Sequence, residues 1–142
     1  MAASARTGSR STAAERLARV ARRVVAWEGA RRLRVDLTLL DAAAMRRLNR
    51  RATGRRGLTD VIAYAMPQPD GTLLGDVYIC PAAAAAWTGS GAVDEERVRL
   101  AVHGTLHVLG YDHPDGPGRT RSAMWRRQER YVRRLVRAGR YR

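Results

Sequence analysis

His103-Gly104-Thr105-Leu106-His107-Val108-Leu109-Gly110-Tyr111-Asp112-His113 contains all 3 histidines of the chain. His103 and His107 are four apart, so on a helix they project from one face, a turn apart, as two ligands of one metal ion do. Gly110 can take the left-handed conformation that ends a helix, and the chain can then bring His113 back as a third ligand. Three protein ligands on a tetrahedral ion leave a position open, which separates a catalytic zinc site from a structural one. Asp94-Glu95-Glu96 supplies an acidic first turn for this helix, which should run to about Leu109. Leu100, Ala101, Val102, Leu106, Val108 and Leu109 make its later part apolar nearly all round. Such a helix is central and buried, so histidines on it need a reason, and a metal supplies one.

The segments on either side alternate between helix and strand patterns. Ala13 to Glu28 shows helical spacing of Leu17, Val20, Ala21, Val24 and Val25. Leu33 to Leu39 alternates apolar and polar residues as a half-buried strand does. Asp41 caps a helix to about Arg51, with Met45 and Leu48 inward. Thr59 to Ala65 and Leu73 to Cys80 read as strands joined through Pro67-Gln68-Pro69-Asp70-Gly71. Pro81 opens a short alanine-rich helix, and Thr88 to Gly91 is a loop. Pro114 to Gly118 is a rigid connection. A last helix starts near Thr120, with Met124, Gln128, Tyr131 and Leu135 as one stripe. Its other face carries Arg126, Arg127, Arg130, Arg133, Arg134 and Arg137, either an RNA-binding face or a solvated one. Residues 1–12 read as disordered and 13–142 as a single domain.

Charge narrows the partners. The chain has 142 residues, 27 of them basic against 13 acidic, for a net charge of +14. Every basic residue is arginine. A surplus of this size favours a polyanion, most often nucleic acid. Arg50, Arg51, Arg55 and Arg56 cluster around a glycine-containing loop and are candidates for holding phosphates. Cys80 is the single cysteine, set in an apolar run, which fits a buried thiol and a reducing cytoplasm. No apolar stretch is long enough to span a bilayer, and the first dozen residues lack the apolar core of a secretory signal.

The spacing H-x3-H-x2-G-x2-H is also that of metzincin proteases, which place a glutamate base after the first histidine. Here that position is Gly104, which cannot take a proton, so peptide hydrolysis by that route is disfavoured. The full string closely resembles the signature of the YbeY family of metal-dependent endoribonucleases, which reads H-G-x-L-H-L-x-G-Y-D-H. This chain departs from it only at Val108. Leu48-Asn49, Thr59-Asp60-Val61-Ile62 and Leu74-Gly75-Asp76 match further family segments in the same order, so the likeness covers about residues 33 to 135. The resemblance implies an α+β fold: a small mixed sheet covered by helices, with the histidine helix in the middle. It implies one zinc, or another divalent ion, on His103, His107 and His113. It also implies cleavage of single-stranded RNA in ribosomal RNA maturation and ribosome quality control, with the ribosome or its proteins as partners and no specificity for DNA.

Three departures accompany it. The family's aromatic–Arg–Gly step aligns with Ala52-Thr53-Gly54, so Thr53 takes the place of the arginine to which the resemblance assigns a part in activity, and Arg51 and Arg55 beside it are the candidates for that catalytic role. The Ser-Phe step is Ala63-Tyr64. The family's opening strand has no counterpart in this sequence, which leaves the sheet a strand smaller. An RNA-binding assembly factor with a structural metal is therefore the alternative reading. Asp112, between two ligand positions, could orient an imidazole or cap the turn.

Overall fold

The alternation from Leu33 to Leu39 becomes strand β1 (Leu33–Leu39) in the computed structural model, which describes residues 12–87 and 93–138. β2 (Val61–Pro67) and β3 (Leu73–Ile79) complete a sheet of order β1-β3-β2. β3 pairs parallel with β1 and antiparallel with β2. β2 starts two residues later than its β-branched run suggests. Its register ends with Val61 opposite Ile79, and Asp60 is held beyond it only by the bond from the Cys80 N–H to its carbonyl.

The helices are α1 (Ala13–Trp27), α2 (Ala42–Thr53), α3 (Pro81–Trp87), α4 (Val93–Val108) and α5 (Ala123–Arg137). Thr12, expected in the disordered stretch, instead caps α1: its hydroxyl accepts from the Glu15 N–H, and Glu15 reaches back to the Thr12 N–H. The rest of that stretch, and the loop expected at Thr88 to Gly91, lie outside the described residues. Asp41 caps α2 as its sequence indicates, accepting from the Ala44 N–H at 2.8 Å. The last helix begins later than expected, at Ala123. Residues Gly116–Arg121 form a separate 3-10 helix, and Ser122 ends it while capping α5.

α4 is the centre of the fold. One side meets β2 and β3, and α1, α3 and α5 pack around the rest. Its residues Val98, Ala101, Val102 and Leu106 are fully buried with Val20 and Val24 of α1, Val77 and Ile79 of β3, and Leu135 of α5. Two glycines set how closely α4 approaches the sheet. A Cβ on Gly104 would lie 2.6 Å from Val77 Cγ1, and a Cβ on Gly75 would run into Val108. The sheet's other face takes α2, where Met45 packs with Ile62, Cys80 and Ala83. This is the α+β arrangement that the sequence implies, with three strands among the described residues.

Candidate metal centre

α4 ends as Gly110 foretells. Gly110 has φ +101°, its N–H bonds to the His107 carbonyl at 3.0 Å, and the Tyr111 N–H reaches the Leu106 carbonyl at 3.0 Å. These two bonds form a Schellman cap, whose left-handed residue suits glycine. The turn carries His113 back onto the face from which His103 and His107 project. One ring nitrogen from each histidine lies within 4.8 Å of the other two.

The hydrogen bonds fix which nitrogens can act as ligands. His103 Nδ1 faces Gln128 Oε1 at 2.6 Å, His107 Nδ1 the Tyr111 carbonyl at 3.0 Å, and His113 Nδ1 the Pro114 carbonyl at 3.1 Å. All three partners are amide oxygens, which only accept, so each Nδ1 carries the proton. Each Nε2 is then left with a free lone pair, the form a metal needs. The Gln128 amide is itself oriented: its Nε2 donates to Glu129 at 3.0 Å, and Glu129 receives a two-armed grip from Arg99 at 2.8 and 2.9 Å. Burial, above all, pushes the His103 ring down to about 4, against the opposing pull of the Gln128 bond, and electrostatic repulsion from His107, Arg119 and His113 adds to it. Burial lowers His107 as well. The donor set is therefore three imidazoles that each turn Nε2 to the site, which fits zinc and other imidazole-binding divalent ions.

A second network holds the turn. Glu28, just past α1, accepts from the Tyr111 hydroxyl at 2.6 Å, from Arg127 at 2.8 Å and from the Tyr131 hydroxyl. Burial raises this carboxyl, but the bonds from the two tyrosines and Arg127 outweigh it, and the net shift is downward. Glu28 thus stays ionised and ties the residue whose carbonyl orients His107 to both α1 and α5. Arg127, expected on the basic face of α5, is drawn out of it by this pairing. Asp112 serves the turn, accepting from the His113 N–H at 2.8 Å, and does not hold an imidazole.

The histidines open into a cavity of about 790 Å³, whose lining includes Thr53, Arg55, Arg56, Asp60, Asp115 and Arg119. Of the four arginines expected near the phosphate, Arg55 and Arg56 reach this lining. Arg50 and Arg51 do not: α2 continues past them to Thr53, leaving both exposed on its last turn. Thr53 holds the loop in place. Its hydroxyl bonds to the Asn49 carbonyl and Oδ1, both at 2.8 Å, and accepts from the Arg55 N–H at 3.2 Å. Asn49, buried, donates to the Gly57 carbonyl at 3.2 Å. Sequence reasoning missed Arg119 and the role of Gln128. A glutamine within an otherwise apolar helical stripe was the available signal for the second, whereas nothing local marks the first.

Comparison with known proteins adds to this geometry. A sequence model of the family Endoribonuclease YbeY matches residues 3–136. The protein named Endoribonuclease YbeY of Mycolicibacterium gilvum is 37% identical over 94 residues, covering 57% of this chain and 53% of that one. Its namesake from Mycobacterium tuberculosis H37Ra is 36% identical over 94 residues, with the same coverage. The chain thus spans about half the length of these curated relatives. The solution structure of TM1509 from Thermotoga maritima superposes with a TM-score of 0.60 at 25% identity, covering 90% of this chain and 84% of that one.

Proposed function

The chain belongs to the YbeY endoribonuclease family, and on that premise we propose that it is a metal-dependent endoribonuclease cleaving single-stranded RNA, acting in ribosomal RNA maturation and ribosome quality control. The observation that carries the reading is the set of three histidines, each with Nδ1 held by an amide oxygen, opening into a cavity whose lining includes Arg55, Arg56 and Arg119. When bound to His103, His107 and His113, a divalent ion, zinc by the nature of its donors, supplies Lewis acidity toward a phosphoryl oxygen and lowers the pKa of water.

The protein's own groups do the rest. Gln128 and the Tyr111 and Pro114 carbonyls keep the three imidazoles in one tautomer, so no proton has to move before they ligate. Arg55 and Arg56 offer planar forks to non-bridging phosphate oxygens. Arg55 is the arginine to which we assign catalytic contact. Thr53 fixes the start of its loop through the Arg55 N–H. Arg50 and Arg51, outside the cavity, meet the RNA backbone further along. The net charge of +14 supports a polyanionic partner, ribosomal RNA within the ribosome. The buried, unpaired thiol of Cys80 fits a reducing cytoplasm, and no helix among the described residues is long and apolar enough to cross a membrane.

His107→Ala tests the assignment. It should abolish zinc retention, measured by metal analysis after dialysis, together with cleavage of a single-stranded RNA. Cleavage at the wild-type rate by that variant under strict metal exclusion overturns the site. Wild-type protein that binds RNA but leaves it intact at every metal load would instead be an assembly factor.

A further inference from the structure

We propose that Arg119 is a phosphate-binding residue of the metal cavity, supplied by the 3-10 helix and independent of the loop that carries Arg55 and Arg56. The inference rests on the reading that this cavity takes a phosphodiester.

Arg119 lines the same cavity as the three histidines. A fixed positive charge there works against binding a second cation. Its presence is therefore a cost to metal affinity unless an anion joins the two. Among the described residues no carboxylate pairs with it, although Arg34, Arg99 and Arg127 all have such partners. Asp112 and Asp115 share the cavity, but neither comes within ion-pair distance of it.

The guanidinium is nonetheless held. It sits over the Trp125 ring, 5.9 Å from the centroid, a contact that steadies a cation without neutralising it. Its backbone is pinned to the start of α5, because the Ser122 N–H and hydroxyl both donate to the Arg119 carbonyl, at 3.3 and 2.8 Å. A seated, unneutralised guanidinium beside a cation site matches a phosphate that bridges the two. Its fork would take the non-bridging oxygens the metal leaves free.

The test uses zinc-loaded wild type, Arg119→Gln and Arg119→Lys, with a labelled 2′-O-methyl oligouridylate as the probe and anisotropy titrations across a salt series. Losing one phosphate contact should flatten the slope of log affinity against log salt by about 0.7. Arg119→Lys should recover the slope but only part of the affinity, because it restores the charge without the fork. Zinc affinity, read by chelator competition, should hold or rise in Arg119→Gln as a repelling charge is removed. If wild type shows a steep salt slope and Arg119→Gln matches it, Arg119 is not a phosphate ligand, while the nuclease reading stands. If Arg119→Gln loses zinc and melts early, Arg119 is structural and the inference fails. Wild type that does not bind the probe at low salt removes the phosphodiester reading, and Arg119 falls with it.

Discussion

Gly104→Ala separates two explanations of the glycine beside the first ligand. In the middle of a helix, replacing glycine by alanine ordinarily stabilises by about 1 kcal/mol, through the lower conformational entropy of the unfolded chain. Here the new Cβ would stand 2.6 Å from Val77 Cγ1 and 3.3 Å from both Val77 Cγ2 and Val61 Cγ2. Carbon atoms prefer about 3.5–4.0 Å, so the closest contact is short by roughly 1 Å. Val77 is fully buried and β-branched, and β3 is held between β1 and β2, so neither side chain nor strand can easily yield. Overpacking of this kind costs about 1–3 kcal/mol, and the rigidity of the site favours the upper end. The clash should therefore outweigh the propensity gain and leave the variant about 1–2 kcal/mol less stable. For a chain of this length that is a fall in Tm of about 3–7 °C by calorimetry. Val77→Ala in the same background should recover part of the loss, a coupling of about 1 kcal/mol in a double-mutant cycle. A Gly104→Ala protein that melts higher than wild type would refute the argument, because it would mean open space where α4 meets β3.

Gln128→Leu should weaken zinc binding by about 10- to 100-fold in chelator competition, since it leaves the His103 N–H without its acceptor and the ring without an orienting partner. Unchanged affinity would show that Gln128 does not govern the ligand. The metal-free protein should lose stability as pH falls from about 6.5 to about 4. Above that window His103 is neutral in both states; within it the unfolded chain takes up a proton that the buried ring refuses, a difference on the order of 3 kcal/mol for a ring held near 4. His107 shifts in the same direction. A Tm that stays level between about pH 7 and about pH 4.5, by circular dichroism, would contradict this burial.

The elements most legible in the sequence are those whose pattern is local. β1 has the bounds its alternation indicates, Asp41 caps α2, Gly110 turns α4, and the stripe Met124, Gln128, Tyr131 and Leu135 is buried as one face of α5. The misses arise where a partner decides. β2 begins at Val61 because the ladder with β3 begins there, whereas Thr59 has the composition of a strand but no strand residue opposite it. The 3-10 helix of Gly116–Arg121 is too short and too rich in glycine and proline to show a period. The arginines divide for a similar reason. Arg50 and Arg51 differ from Arg55 and Arg56 only in lying before or after the left-handed turn at Gly54, and that turn sends one pair toward the histidines. Arg119 reaches the same cavity from far along the chain, through a fold no local window contains.

Gly104 also bears on why the metzincin spacing does not make this site a peptidase. The sequence shows only that the glutamate base is absent. The structure shows where such a side chain would begin: its Cβ would be driven against Val77 and Val61, at the contact between α4 and the sheet. Supplying that base would take a larger separation of helix and sheet as well as a glutamate, so the difference lies in the packing and not in one residue. The charges around the site point the same way. Three arginines, Arg55, Arg56 and Arg119, share the cavity lining with three aspartates, Asp60, Asp112 and Asp115, so the formal protein charge there cancels. Imidazoles bound to a metal are neutral and would offset nothing. A divalent ion held by them would keep its charge and give the cavity as a whole a net charge that favours an anion. A peptide carbonyl brings no net charge to such a site, whereas a phosphodiester brings one negative charge and two oxygens to share between metal and guanidinium.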